Sequence, residues 1–224
     1  MRFAANGLKK ARPDDEKEGV ARRSPIAMVL LAALAAMLAP SAAATNLERL
    51  IAPTAICSEQ TALTASIAAQ EQAMRCMSNY AREQAGLGAF GEDNALDRSA
   101  RDKSDDIIRC NSFSHYACGR DVNYWMERVG YLPAQCWRAA ENIAWGSGSR
   151  GDVRSIFRAW IYSPEHRENI LGPYSQVGIG LAVGALGDHA GADVWTQHFG
   201  SHCGHASPAP VARFAAVASR HAVR

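Results

Sequence analysis

Several things are missing from this sequence, and each absence removes a class of chemistry. No C-x-x-C occurs among its six cysteines, which argues against a thioredoxin-type redox pair and a zinc ribbon. No H-E-x-x-H sets two metal ligands on one helical face. No G-x-S-x-G marks the nucleophile turn of a serine hydrolase. Strong charge of one sign is lacking as well, since 24 Lys and Arg stand against 22 Asp and Glu. There is no internal repeat. The uncharged apolar run at residues 26–39 has 14 residues, short of the ~20 that a membrane-crossing helix needs. What remains is 48% hydrophobic and 21% charged, ordinary for a globular chain.

The apolar run explains the ends. Arg22 and Arg23 precede it, and Pro40, Ser41 and then Ala42-Ala43-Ala44 follow, the order of a secretion signal with a small-residue cleavage site. Residues 1–44 are read as that signal, cut near Ala44, which leaves a mature protein without a transmembrane span. No cysteine sits at the cut, so a lipoprotein is not expected. The signal takes with it seven basic and four acidic residues, and residues 205–224 hold three arginines and no acid. Residues 45–204 therefore carry 14 basic and 18 acidic side chains, net −4. That balance excludes nucleic-acid binding by bulk charge. Residues 45–69 form an N-terminal arm and the start of a first helix, residues 70–204 a single domain, and residues 205–224 a loosely ordered Ala/Pro/Arg tail.

Helical signals fill the first two thirds. Residues 66–84 are rich in Ala, Glu, Gln and Met and stop before Gly86. Asn94 can cap a helix to about Arg109, with Leu96, Ala100, Ile107 and Ile108 inward. Val122 to Val129 predicts a short helix ended by Gly130. Val153, Ile156, Phe157, Trp160 and Ile161 repeat at helical spacing behind a cap at Asp152, and Ser163-Pro164 closes that helix. The last third changes period. Val177, Ile179, Leu181 and Val183 alternate, and residues 194–199 are aromatic and β-branched, with residues 184–192 as the loop between them. Helices first and an antiparallel hairpin last predict an α+β fold.

Three polar segments hold titratable groups beside structural punctuation: Asn111-Ser-Phe-Ser-His115, Ala140-Glu141-Asn-Ile-Ala-Trp-Gly146 and Ser163-Pro-Glu-His-Arg-Glu-Asn-Ile-Leu171. They occur in one order with Cys76-Met-Ser-Asn-Tyr-Ala-Arg82, Gly130-Tyr131, Val177-Gly-Ile-Gly180 and Trp195-Thr-Gln-His-Phe-Gly200. Together these segments resemble the CAP superfamily, the cysteine-rich secretory, antigen 5 and pathogenesis-related proteins, and in particular its bacterial secreted branch. The resemblance spans about residues 70–204. It implies an α–β–α sandwich with a three-stranded antiparallel sheet between helical layers and a cleft holding His and Glu. By position His115 matches the first cleft histidine and Glu141 the glutamate of the G-E-N motif, here preceded by Ala140. Where animal and plant members have W-x-x-E, this chain has Trp160-Ile-Tyr-Ser163. Where they have G-H-Y-T-Q, it has Gly172-Pro-Tyr-Ser-Gln176, with Pro173 at the histidine position. His166 is read as the substitute imidazole.

Two imidazoles and a carboxylate could bind a divalent cation such as zinc, with His115, Glu141 and His166 as ligands. They could equally form a hydrogen-bonded cluster in which Glu141 fixes a histidine tautomer. His198 lies on a strand of uncertain facing and is not assigned to the site, while Trp145, Trp160 and Trp195 are read as core. Six cysteines in an exported chain predict disulfides. Six cysteines allow about 15 pairings, among which sequence alone does not choose; Cys118–Cys136, which brackets the Val122 helix, ranks first, then Cys57–Cys76, which would tie the N-terminal arm to the first helix, leaving Cys110–Cys203. Functionally, the sequence favours an exported binding or interaction module over an enzyme with a defined reaction. The resemblance implies lipid, sterol, metal or cell-wall ligands, and no cofactor is required by that reading. The alternatives are a metal-dependent hydrolase built on the His/Glu cleft and a purely structural envelope protein.

Overall fold

The computed structural model describes residues 2–6, 47–134 and 136–203. The leader cleavage site and the tail at 205–224 lie outside the described residues. Helix α1 (Ile67–Gln84) starts where Ser66 accepts a hydrogen bond from the Ala69 amide. Helix α2 (Asn94–Arg109) begins at the expected cap itself, and its observed cap lies one residue earlier. The Asp93 carboxylate, not Asn94, accepts from the Ala95 and Leu96 amides, the better choice because a carboxylate also suits the positive helix end. The short α3 (Tyr124–Arg128) and α4 (Val153–Tyr162) follow, the latter capped by Asp152 as its sequence predicts. Pro164 ends α4 and opens α5 (Pro164–Ile170), since a proline lacks only an amide that a first turn does not use.

Strands β2 (Trp137–Gly146), β3 (Gln176–Leu186) and β4 (His189–His202) form the three-stranded antiparallel sheet, with β4 in the middle. A further strand β1 (Arg2–Asn6), inside the segment read as a leader, pairs antiparallel with β2. The sequence pattern did not predict β2 as a strand. The hairpin also differs from expectation: the ladder continues to Leu186↔His189, so the turn is only Gly187-Asp188, with Gly187 at a φ of 58°. Residues 184–186 and 189–192 pair as strand despite their glycines, because ladder bonds propagate past the apolar pattern once such a two-residue turn is set.

Side chains alternate across the sheet. One face carries Glu141, Ile143, Thr196 and His198 and packs on α2; the other carries Asn142, Ala144, Trp195, Gln197 and Phe199 and packs on α1, α4 and α5. Gly178 and Gly180 lie on the α2 side of β3, where a Cβ would overlap the backbone of Leu96 or Ala100. The Val-Gly-Ile-Gly repeat thus sets how closely the helix approaches the sheet.

The outer edge of β3 is covered by side chains from both helical layers. Arg75 of α1 donates to the Val177 carbonyl at 2.6 Å and to Asp97 of α2 at 2.7 Å. Asp97 in turn accepts the Ile179 amide at 2.9 Å. Glu71 accepts the Leu181 amide and pairs with Arg101. Two of the edge amides that could recruit another strand are therefore occupied by carboxylates, and that of Val177 by the Gly91 carbonyl.

Three disulfides join Cys57–Cys76, Cys110–Cys118 and Cys136–Cys203. The first is as expected; the other two exchange partners relative to the Cys118–Cys136 and Cys110–Cys203 pairing. The reason is geometric. Cys110 ends α2 and the chain doubles back through the turn at Ala117–Gly119, bringing the Cys110 and Cys118 Cα atoms to 5.5 Å. Cys136 and Cys203 sit just beyond the last β2–β4 pair, Trp137↔His202, and continue its register. No helix among the described residues is long and apolar enough to cross a membrane.

Replacing Gly180 by alanine should lower stability by about 3 kcal/mol through overpacking. That corresponds to a Tm roughly 6–12 °C lower by differential scanning calorimetry. Gly191→Ala, where the added methyl meets nothing within 4 Å, should leave the Tm unchanged.

Candidate functional site

Strand β2 carries Glu141 toward α2, and antiparallel register sets His198 of β4 directly opposite. The two side chains meet across the ladder, His198 Nε2 to Glu141 Oε2 at 2.8 Å. The other carboxylate oxygen, Oε1, is 2.5 Å from His115 Nδ1. His115 stands on the loop between Cys110 and Cys118, so one disulfide closes both ends of the segment that presents it. From α2, Lys103 reaches the same place: its Nζ donates to the His115 carbonyl at 2.5 Å and lies 3.9 Å from Glu141 Oε1. Ser99, one turn earlier, is 2.7 Å from His198 Nδ1.

All of this is interior. Glu141 and His198 are 0% exposed and His115 6%. Burial alone would raise the Glu141 carboxyl, but the hydrogen bonds from His115 and His198 and the charges of His198 and Lys103 outweigh it and hold it at about 2. Burial pushes the Lys103 ammonium down, opposed by Glu141, Asp106 and Asp121. Because an ionised carboxylate only accepts, His115 Nδ1 and His198 Nε2 must both carry protons. Ser99 Oγ donates to the Leu96 carbonyl at 2.8 Å and meets His198 Nδ1 at 2.7 Å, where a charged ring donates to the hydroxyl. The chain Ser99–His198–Glu141–His115 is a continuous line of hydrogen bonds that can hold and redistribute a proton. In composition it is a Ser-His-Glu triad, but Ser99 also is fully buried, so no substrate carbonyl can reach its hydroxyl.

The CAP family, described as the cysteine-rich secretory protein family, matches residues 77–199, more than half of the chain. The chain belongs to this family. It is 30% identical over 140 residues to the uncharacterized protein YkwD of Bacillus subtilis (strain 168), covering 62% of this chain and 50% of that protein. The chain thus spans about half the length of the curated relative it matches. An outer surface protein from Borrelia burgdorferi shares the fold, with a TM-score of 0.52 at 15% identity, covering 62% of this chain and 96% of that one. An extracellular protein containing a SCP domain from Bacillus anthracis aligns at a TM-score of 0.47 and 22% identity, over 60% of this chain and 43% of that one.

Within this CAP domain the sequence-assigned residues divide. His115 and Glu141 come together. His166 does not join them: it begins α5, on the opposite face of the sheet, where its Nδ1 lies 2.7 Å from Ser163 Oγ. The neighbour of Glu141 explains why. Asn142 points the other way, and its amide donates to the His166 carbonyl and to Gln197 while accepting from Asn169. Pro173 is exposed on the loop after α5. His198, Lys103 and Ser99 were not assigned by sequence. The signal for Lys103 was available, since a lone cation falls on the inward face of α2 with Leu96, Ala100 and Ile107. His198 needed β2 to be recognised as a strand first.

A His₂Glu metal site does not fit this arrangement. The nitrogens nearest the carboxylate are N–H donors rather than open ligands, His115 Nδ1 and His198 Nε2 each donating to one carboxylate oxygen. Among the described residues no three His, Cys, Asp or Glu side chains are placed to hold a metal ion. His115 Nε2 is the atom left over, buried and without a hydrogen-bond partner among the described residues.

Glu141 contributes stability only while ionised in the fold. Its folded value lies below the ordinary 4.5, so the contribution is complete above about pH 4.5 and disappears as pH falls toward 2. It is worth roughly 3 kcal/mol. Urea unfolding at pH 7, 4.5 and 3 should show that loss in the parent chain. In Glu141→Gln the domain should be less stable at pH 7 by about 3–5 kcal/mol, with Lys103 left uncompensated, and the slope between pH 4.5 and 2 should flatten.

Proposed function

We propose that this chain is an exported CAP-domain protein that binds a ligand of the cell envelope, a lipid, a sterol or a wall fragment, and turns over no substrate of its own. The observation that carries this reading is the closure of the His115–Glu141–His198 cluster, in which both Glu141 oxygens are taken by imidazole nitrogens in the interior. Such a cluster stabilises a scaffold and leaves recognition to the surface. The signal-like pattern of residues 1–44 and three disulfides support an oxidising, exported setting.

The competing reading, a metal-dependent hydrolase, draws on His115 Nε2, a buried imidazole nitrogen with a free lone pair or proton. One set of measurements separates the two. The purified chain is mixed with phosphatidylglycerol vesicles, with the same vesicles containing cholesterol, and with insoluble peptidoglycan, and bound protein is measured by flotation or sedimentation. Retention on at least one of them, changed less than about threefold by EDTA or by His115→Ala, is the expected result. Retention on none, with the fold intact by circular dichroism, sinks the binding reading. One equivalent of zinc together with a hydrolytic activity, both lost in His115→Ala, would establish the hydrolase instead.

A further inference from the structure

Two of the bridges sit in contrasting surroundings. Cys57 is 1% exposed and Cys76 packs against the main apolar core. Cys110 is exposed and Cys118 half-buried, so a thiol in solution can approach Cys110. The chain between Cys110 and Cys118 carries His115, whose ring meets Glu141 and whose carbonyl accepts from Lys103. This loop enters through Asn111 at a φ of 47° and closes at Cys118 with a φ of 58°. Asparagine tolerates that left-handed region, whereas a cysteine rarely enters it. Such a conformation persists only where the surroundings over-determine it, and the bridge supplies that constraint at Cys118.

The two sulfurs are unequal as leaving groups. Cys110 is the C-cap of α2, where the negative end of the helix disfavours a thiolate. Cys118 Sγ lies 3.8 Å from Arg109 Nη2, and a guanidinium stabilises one. Arg109 also pairs with Asp106, a carboxylate it divides with Arg120, and still keeps a donor on the sulfur. A protonated Cys118 has an acceptor in place as well, the Asp106 carbonyl 3.4 Å from Sγ.

The structure assigns Cys110–Cys118 as a site of thiol–disulfide exchange with a dithiol, and as the latch that holds His115 over Glu141 and Lys103. One thiolate of the dithiol attacks Cys110 Sγ, and the S–S bond breaks with its electron pair leaving on Cys118 Sγ. That thiolate takes a proton from solvent. The second thiol of the reagent then displaces Cys110 and closes its own disulfide, so two electrons and two protons pass to the chain. With the bridge open, Cys118 relaxes out of the left-handed region and the loop lifts from the cluster. His115 Nε2, buried without a hydrogen-bond partner in the closed form, gains contact with solvent. The latch goes beyond the binding reading above and does not depend on it.

Lys103 reports the opening, because it is 2% exposed and is the only lysine beyond Lys17. The full chain is treated with dithiothreitol at pH 7, and free thiols are trapped with iodoacetamide. A parallel sample is pulsed with acetic anhydride, and both are mapped by peptide mass spectrometry. Cys110 and Cys118 should open about tenfold faster than Cys57 and Cys76. Acetylation of Lys103 should rise in step and fall again when oxidised glutathione restores the bridge. Arg109→Gln should slow the opening about threefold. Cys110→Ser combined with Cys118→Ser should leave Lys103 reactive without any reductant, at an unchanged circular dichroism spectrum. Opening of Cys57–Cys76 first, a reduced Cys110 and Cys118 with Lys103 still protected, or an Arg109→Gln rate equal to that of the parent would each overturn the proposal.

Discussion

A full negative charge in the middle of the domain is the constraint from which the rest of the architecture follows. Glu141 is fully buried, and an isolated carboxylate there would cost many kcal/mol. The fold answers from three directions at once: His198 across the ladder, Lys103 from α2, and His115 from the loop stapled between Cys110 and Cys118. Each answer demands a distance. Lys103 reaches the carboxylate only if α2 sits low on the sheet, and α2 sits low only because β3 presents Gly178 and Gly180 beneath Leu96 and Ala100. His115 reaches it only if the loop folds back over the end of α2, which the Cys110–Cys118 bridge enforces. A glycine repeat, a lysine and a disulfide far apart in sequence therefore serve one ionised group.

The two helical layers are then tied to each other around the sheet rather than through it. Arg75–Asp97 and Glu71–Arg101 link α1 to α2 past the edge of β3, and the carboxylates of both pairs take edge amides as a second duty. Arg82 performs a related task further along α1. Its guanidinium donates to the carbonyls of Gly88, Ile170, Gly172 and Tyr174 and lies 4.0 Å over the Phe90 ring. Burial lowers its pKa to about 10, which leaves it charged at neutral pH. One cation thus satisfies the irregular backbone between α5 and β3, a stretch with no ladder of its own.

What the sequence revealed and what it concealed divide along physical lines. Elements with one apolar face, such as α4 behind Asp152 and the alternating start of β3, announce themselves by period. Strand β2 does not, because it is covered on both faces and spends two adjacent buried positions on Glu141 and Asn142. Missing that strand had consequences elsewhere. Without its register, the nearness of Cys136 to Cys203 and of His198 to Glu141 could not be inferred, and both follow at once when Trp137↔His202 is known. The ordered motifs supplied the family and brought His115 and Glu141 forward as a pair. They could not place His166, because a resemblance of residue types does not say on which side of a sheet a helix packs.

The Glu-Asn pair in β2 shows why that side matters. Adjacent residues on a strand face opposite layers, so Glu141 organises α2, the His115 loop and β4, while Asn142 organises α5 and, through Gln197 and Ser78, α1. Two polar networks, one charged and one neutral, are thereby locked in phase by a single peptide unit, and the Asn169 amide bridges them by approaching both the Glu141 carbonyl and Asn142 Oδ1. A one-residue slip of β2 would exchange the partners of both networks and bury an unpaired carboxylate against the neutral one. The dipeptide therefore acts as a register key for the sandwich. A register key is sealed from solvent and fully partnered, and Glu141 meets both conditions: it is 0% exposed and both its oxygens are taken by histidine nitrogens.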